Sequence, residues 1–484
     1  MSDFDIGLVM PVLALAGFGL FVLLWSPFLR GASWALGAMS LIGIAVAGIS
    51  AHQQWRFWRA QGAALETAGG MVRVDGLGLA FSFIVLVIGA LTVLASMRFL
   101  EREEADHGEF YALLLIGLAG MLVMVNTTHL MMVLIGLEVF SVCLYVLTGL
   151  TRSREGSIEA ALKYFLLGAF SSGFLVYGLA LLYGATGSLS MERIAEIAGR
   201  DPSTLLWFGM GLVLIGLVFK IAAVPFHFWV PDVYQGAPTN VTAFMAAATK
   251  TVAFAALLRF LPGAFGEQTA GWVPIVTWLS ILTMTTANLV ALAQTNIKRL
   301  LAFSSISHAG YLLIAVVSRP DLGVSAVVFY LSAYAFMTVG AFVVAAAVGR
   351  GDAKSESGYD LTSWQGLGWK RPGLGVAMTI FLFSLAGIPP TAGFLGKYVI
   401  FQAAVDSKLY LLAVVGALNA VIGAYYYLRV VVALWMRESE TDELPLPVSA
   451  ATAFVLIVAV VGVFYLGLAP GRVLDVTRTL YALL

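Results

Sequence analysis

Long apolar runs separated by short polar connections fill this chain from end to end. Taking ~20 apolar residues per bilayer crossing, they resolve into roughly fourteen segments. These are 7–28, 33–51, 77–97, 110–125, 130–150, 158–183, 205–228, 239–261, 272–293, 300–317, 323–348, 373–404, 409–436 and 450–468. The longest connections, 53–75, 185–204 and 349–370, are too small for a nucleotide-binding or cofactor domain.

Two of the runs are interrupted. Lys220 ends one apolar stretch, Pro225 and Pro231 follow as helix breaks with His227 and Asp232 among them, and a further run carries Lys250 in its middle. Proline removes a backbone donor and clashes with the preceding turn, so a helix through this stretch is expected to break. The second interruption is SLAGIPPTAGFLGKYVIF, where Pro389 and Pro390 stop the helix and Lys397 follows on the resumed run. Paired interruptions far apart in one chain are the mark of repeated halves in transporters.

The pattern predicts an all-α membrane protein of about fourteen transmembrane helices. It contains two inverted five-helix repeats, 110–262 (helices 4–8) and 272–437 (helices 9–13), each with a broken helix. Residues 1–109 supply helices 1–3, and 450–484 supply helix 14 and a tail. An odd number of helices per unit places the copies in opposite orientations. Lys220 precedes its break whereas Lys397 follows its own, so the two lysines are not equivalent by position.

Composition agrees. Of 484 residues, 60% are hydrophobic and 11% charged, with a mean hydropathy of +0.94; a soluble globule carries about 25% charged residues. Zero net charge implies neither nucleic acid nor an anionic surface as partner. The single cysteine, Cys143, excludes disulfides within the chain, CxxC redox pairs and cysteine-held iron–sulfur clusters. The acidic N-terminus leads us to expect a retained first helix rather than a cleaved signal. Arg30, Arg98, Arg102, Arg152, Arg154, Lys298, Arg299, Arg350, Lys354, Lys370, Arg371 and Arg437 follow odd-numbered segments and outnumber the cations on the other side. The positive-inside rule then places both termini outside.

Ionisable residues within the apolar runs are costly in hydrocarbon, and each is by default a candidate for function. Glu138 shares a helical face with Ser141 and Tyr145; a carboxylate at that depth is protonated or paired with a cation. Lys220 shares a face with His227 if the helix survives to Pro225. An amine whose carboxylate partner approaches and retreats holds its proton with an adjustable grip. For His227 a structural role beside two prolines is the alternative. Lys250 has Ala243, Ala246, Ala247 and Phe254 on its face, small residues that let neighbouring helices enclose it. Lys163, near its helix start, fits either snorkelling or function, and Arg429 reaches toward an interface near Arg437. Ser304, His308 and Tyr311 form a hydroxyl–imidazole–phenol face, to which the next helix adds Tyr330, Tyr334 and Thr338. Such groups both donate and accept, as a proton wire requires. GFLGKY lacks two essentials of a phosphate loop. No metal cage or haem ligation is evident, and His52 and His107 fall in loops.

Four stretches carry a resemblance covering essentially the whole chain: ALKYFLLGAFSSGFLVYGLALLYGATGS, VPFHFWVPDVYQGAPTNVTAF, NIKRLLAFSSISHAGY and SLAGIPPTAGFLGKY. They resemble the subunit N family among the antiporter-like subunits of bacterial proton-pumping NADH:quinone oxidoreductase, respiratory complex I. The wider family includes subunits L and M and multisubunit cation/proton antiporters. Subunit L carries a long lateral helix that this chain is expected to lack, and subunit M has glutamate where Lys397 stands. The resemblance implies that Glu138 is the fifth-helix carboxylate, Lys220 its seventh-helix partner and Lys163 the sixth-helix lysine. Lys250 becomes the central eighth-helix lysine, and Lys397 the one facing the exit half-channel.

The expected function is proton translocation through a relay of Glu138, Lys163, Lys220, His227, Lys250, His308 and Lys397, driven by redox chemistry in other subunits. The chain would be a non-redox subunit of the bacterial inner membrane, surrounded by lipids, antiporter-like neighbours and small membrane subunits. NADH, FMN, iron–sulfur clusters and quinone would belong to partner subunits. Two rival readings are a cation/proton antiporter subunit, for which a sodium site would want clustered carboxylates and carbonyls, and a non-conducting scaffold.

Overall fold

A computed structural model of the chain describes residues 5–29, 33–97, 107–200, 203–349, 357–439 and 447–482. Arg30, Arg98, Arg102, Arg350 and Lys354, which entered the charge count, lie outside the described residues. The apolar runs fold as helices because hydrocarbon offers no partner for a backbone amide, and a helix satisfies its own.

The first half comprises α1 (Ile6–Trp25), α2 (Ser33–Gln61), α3 (Gly76–Ser96), α4 (His107–Val125), α5 (Leu130–Thr148), α6 (Glu155–Thr186), α7 (Met191–Arg200), α8 (Thr204–Ile221), α9 (Trp229–Gly236), α10 (Thr239–Phe244) and α11 (Lys250–Arg259). The second half follows as α12 (Thr269–Leu292), α13 (Ile297–Val317), α14 (Pro320–Val348), α15 (Pro372–Ala386), α16 (Ala392–Asp406), α17 (Tyr410–Met436), α18 (Ala450–Leu468) and α19 (Gly471–Ala482). A small antiparallel hairpin, Leu65–Thr67 with Val72–Val74, caps one end. Among the described residues, thirteen helical stretches are long and apolar enough to cross a membrane. The fourteenth crossing is α15 with α16, which meet at the second break.

Both breaks are real, but their geometry differs from the sequence expectation. Helix α8 stops at Ile221, not Phe228, because Ala222 turns left-handed at φ 61°. Lys220 and His227 therefore share no helical face. Pro225 lies in the linker, where its bond to Val224 is cis. Pro231 breaks nothing: it stands third in α9, a first-turn position whose N–H has no intrahelical partner anyway. Within the linker the Val224 amide donates to the Thr283 hydroxyl (3.0 Å) and the Ala223 amide to the Val218 carbonyl (3.1 Å). At the second break Gly387 takes φ +88°, and Pro389 and Pro390 form the linker around a cis bond. A β-carbon at Gly387 would also meet the Lys397 Cδ at 2.9 Å, so glycine there lets the lysine lie across the helix end.

Burial sorts the helices. The 239–264 stretch and α13 are wholly enclosed, and α14 nearly so, whereas most of α1, α6, α17 and α18 faces outward. The enclosed helices carry Lys250, His308 and the α14 tyrosines, so the polar residues of the sequence line the middle of the bundle. A π-helical turn, Met245–Thr249, joins α10 to α11. It shifts the register, so Ala243, two residues ahead of the turn, is rotated off the face of Lys250. His52 lies within α2 and His107 opens α4, rather than either being in a loop. The hairpin and the amphipathic helices α7 and α19 were not foreseen.

Candidate functional site

Lys220, only 2% exposed, points from the end of α8 toward α5. Its ammonium donates to the Ser141 hydroxyl at 2.8 Å, and Ser141 in turn donates to the Leu137 carbonyl one turn back. The ammonium also lies 5.6–5.8 Å from the ring centres of Phe140, Tyr145, Tyr164 and Phe219. Desolvated cation–π contacts reach about 2 kcal/mol, so this aromatic cage favours an ammonium without a carboxylate in contact. Glu138, half-buried, instead accepts from Ser172 of α6 at 2.5 Å. Ser141 lies three residues along α5 from Glu138. Trp229, opening α9, backs the cage: it stacks on Tyr164 (4.6 Å, 11°) and Phe219 (5.4 Å, 25°) and donates to the Phe219 carbonyl.

The second set is joined partly by hydrogen bonds and partly by ring contacts. The Lys250 ammonium donates to both the carbonyl and the hydroxyl of Ser305 on α13, the latter at 2.7 Å. Tyr334 of α14 donates to the same hydroxyl at 2.9 Å, and its ring lies 5.3 Å from that of His308. His308 is the hub: one ring nitrogen is hydrogen-bonded to the Tyr330 hydroxyl and the other to the Tyr427 hydroxyl at 3.1 Å. Tyr427 is also bonded to Ser304. Tyr311 leads on to Lys397, its ring 6.1 Å from His308 and its centre 5.1 Å from the ammonium. Lys397 caps α15, donating to the carbonyls of Leu385 (3.1 Å) and Ala386 (2.8 Å), where a helix end offers unpaired acceptors and partial negative charge.

The other expected residues sit elsewhere. Lys163 is 41% exposed and bridges Glu159 (2.7 Å) and Asp232 (2.8 Å). Asp232 also pairs with Arg299 at 2.8 Å. These four line a cavity of about 160 Å³ at one end of α6, α9 and α13. His227 is buried against Phe228; among the described residues no hydrogen bond joins it to a lysine. None joins Lys220 directly to Lys250 either. Arg429 donates to the carbonyls of Leu292 (2.7 Å) and Gln294, closing the end of α12.

Several participants escaped the sequence reading. Lys298, counted there only as a loop cation, is 2% exposed. It caps α9 by donating to the carbonyls of Gln235 (2.6 Å) and Ala237 (2.7 Å). Tyr427 stands in a run of three tyrosines whose pattern marks none of them out; neighbouring Tyr426 donates to Asn288, which donates to Asn419. Among the described residues no group of three or more His, Cys, Asp or Glu side chains could hold a metal ion.

Comparison with known proteins places this geometry in a family. Residues 127–423 match the family model described as NADH:quinone oxidoreductase/Mrp antiporter, TM. NADH-quinone oxidoreductase subunit N of Trichlorobacter lovleyi is 43% identical over 475 residues, 97% of this chain and 96% of that protein. That of Salinibacter ruber is 42% identical, over 91% of this chain and 89% of the relative. A chain of Thermus thermophilus respiratory complex I with bound aureothin superposes with a TM-score of 0.81 at 36% identity, covering 96% of this chain and 99% of that one. A chain of the Mrp complex from Dietzia sp. shares the fold, with a TM-score of 0.83 at 22% identity over 97% of each chain. The fold is thus the all-α antiporter-like one, and the chain belongs to the subunit N family of NADH-quinone oxidoreductase.

Proposed function

We propose that this chain moves protons across the membrane through its buried lysines, as an antiporter-like membrane-arm subunit of an NADH:quinone oxidoreductase. The observation that carries the reading is the run of adjoining polar groups Lys250, Ser305, Tyr334, His308, Tyr311 and Lys397 through the enclosed helices. Hydroxyls and imidazole pass protons in either direction. A scaffold would have no use for ammonium groups kept at that depth, where each is costly.

The relay has two parts. Glu138 acts on Lys220 across Ser141, and a shift of α5 against α8 changes their separation. Parting two charges from 4 Å at an effective dielectric near 20 involves up to about 4 kcal/mol. Moving one charge across 100 mV takes ~2.3 kcal/mol, so electrostatic work of this size is sufficient to drive transfer. The proton given up by Lys220 goes to Lys250, and repulsion between like charges then expels one from Lys397. The cavity at Lys163, Asp232 and Arg299 is the entry mouth, with the Trp229–Tyr164 stack between it and Lys220. His227 is structural in this reading.

Residues 110–262 and 272–437 are the two repeat units, flanked by 1–109 and 450–484. The protein is multi-pass in the bacterial inner membrane, with both termini periplasmic. Its neighbours are other antiporter-like and small membrane subunits together with lipids. NADH, FMN, iron–sulfur clusters and quinone are held by partner subunits, and this chain performs no electron transfer. The test is Lys220→Ala and, separately, Glu138→Ala in a complex whose assembly is verified. Both should lower proton pumping and the quinone reductase activity coupled to it; parental turnover in both would remove these residues from the relay.

A further inference from the structure

Lys250 opens a ten-residue helix, α11, that is bounded by π turns on both sides, Met245–Thr249 before it and Phe260–Ala264 after it. A π turn inserts a residue into the α ladder. Within one continuous helical stretch, 239–264, the two turns offset α11 in register. Its surface is Thr251, Val252, Ala253, Phe254, Ala255, Ala256, Leu257 and Leu258, all buried, and Thr251 spends its hydroxyl on its own helix at Ala247.

Among the described residues, the side chain of α11 that ties it to another helix through polar bonds, besides Lys250, is Arg259. Its guanidinium makes a two-pronged pair with Asp75, at 2.8 and 2.7 Å, and donates from Nε to the Val125 carbonyl at 3.2 Å. Asp75 is fully buried and itself fixed, since it caps α3 by accepting from Gly78 at 2.8 Å. There is no room for slack: a β-carbon at Gly78 would lie 2.4 Å from Asn126 Oδ1 and 3.0 Å from Arg259 Nη2. Nine residues separate Lys250 from Arg259, two and a half turns at 3.6 residues per turn. The two side chains therefore leave opposite faces of α11, so any rotation that moves one displaces the other.

We propose that the Asp75–Arg259 pair is the register pin of α11, and that Arg259 is a positioning residue acting through Lys250 by holding its ammonium on Ser305. A buried ion pair is poor evidence of net stabilisation, because hydrophobic replacements of both partners are often neutral or better. A two-pronged guanidinium pair does fix orientation, and this one holds the end of α11 opposite to Lys250. The inference rests on the relay reading of Lys250.

The test uses the assembled complex in sealed membranes and the double variant Asp75→Leu/Arg259→Met, which removes both charges of the pair and leaves Arg73, 3.6 Å from Asp75, its partners Glu66 and Glu192. Proton pumping should fall at least about fivefold, on the scale of an ångström misplacement of a reacting group, and its pH profile should move. In a Lys250→Met background the double variant should add no further loss. Parental pumping with an unmoved profile, or an additive loss in that background, overturns the pin. Should the double variant fail to assemble, Arg259→Lys decides: a moved profile supports the pin and an unmoved one overturns it. If Lys250→Met itself pumps like the parent, it is the relay reading that has failed.

Discussion

The Lys220 ammonium is bonded to Ser141 at 2.8 Å, and Glu138, one turn away on the same helix, is bonded to Ser172 instead. The serine hydroxyl gives its own proton to the Leu137 carbonyl, so toward Lys220 it is an acceptor that anchors the amine. Ser141→Ala should lower pumping while sparing assembly, and Ser141→Thr, which keeps the hydroxyl, should restore most of it. Loss of a hydrogen bond to a charged group corresponds to about 1.5–3 kcal/mol. Comparing the proton-to-electron ratios of the two variants checks this; equal ratios would assign Ser141 to packing alone.

His308 receives two phenols, from Tyr330 and Tyr427. His308→Leu should therefore impair pumping more than Tyr427→Phe, because the phenylalanine keeps the ring packing and removes one of several hydroxyls. Initial rates of acidification in sealed vesicles rank the two. The reverse order would place the path through Tyr427 and Ser304 rather than through the imidazole.

Arg429 closes the end of α12 through two carbonyls and touches none of the relay lysines. Arg429→Ala should reduce the amount of assembled complex, with pumping per assembled complex unchanged. Quantifying both on the same membranes separates the two effects.

Asp75 lies one residue ahead of its membrane span. Burial alone would raise its carboxyl, but the Arg259 guanidinium, with the Gly78 amide and Arg73, outweighs that and holds it below the ordinary carboxylate value. A lowered folded value means that the stabilisation is complete above the unfolded value of about 3.9 and is lost as the pH falls through the folded one. Asp75→Asn should destabilise by about 3–5 kcal/mol, the cost of leaving a buried partner charge. Thermal unfolding of the purified complex should show the same loss at pH 6 and pH 8. A penalty that changes between these two values would contradict the assignment.

The architecture was legible because lipid turns each long apolar run into a helix, and buried charges stand out against a background of Leu, Val and Ala. Glu138, Lys220, Lys250 and Lys397 could be found that way, and all but Glu138 are almost fully enclosed. The register was not legible. Neither the π turn before Lys250 nor the left-handed Ala222 has a residue signature, so the sequence places Ala243 on the Lys250 face and joins Lys220 to His227, and the structure does neither. Lys298 was hidden for another reason. A lysine next to an arginine at a helix start reads as a solvated end, and only the returning α9 encloses it. The aromatic cage was equally invisible, since Phe140, Tyr145, Tyr164 and Phe219 come from three helices.

The central claim is that protons pass along the enclosed lysines, and Lys250 is its middle member. The most direct measurement is proton translocation by assembled complex carrying Lys250→Met, reconstituted into liposomes and driven by NADH and quinone. Methionine keeps much of the volume of the lysine stem and removes the ammonium. Pumping should fall together with quinone reductase activity; a parental proton-to-electron ratio at parental turnover would contradict the account.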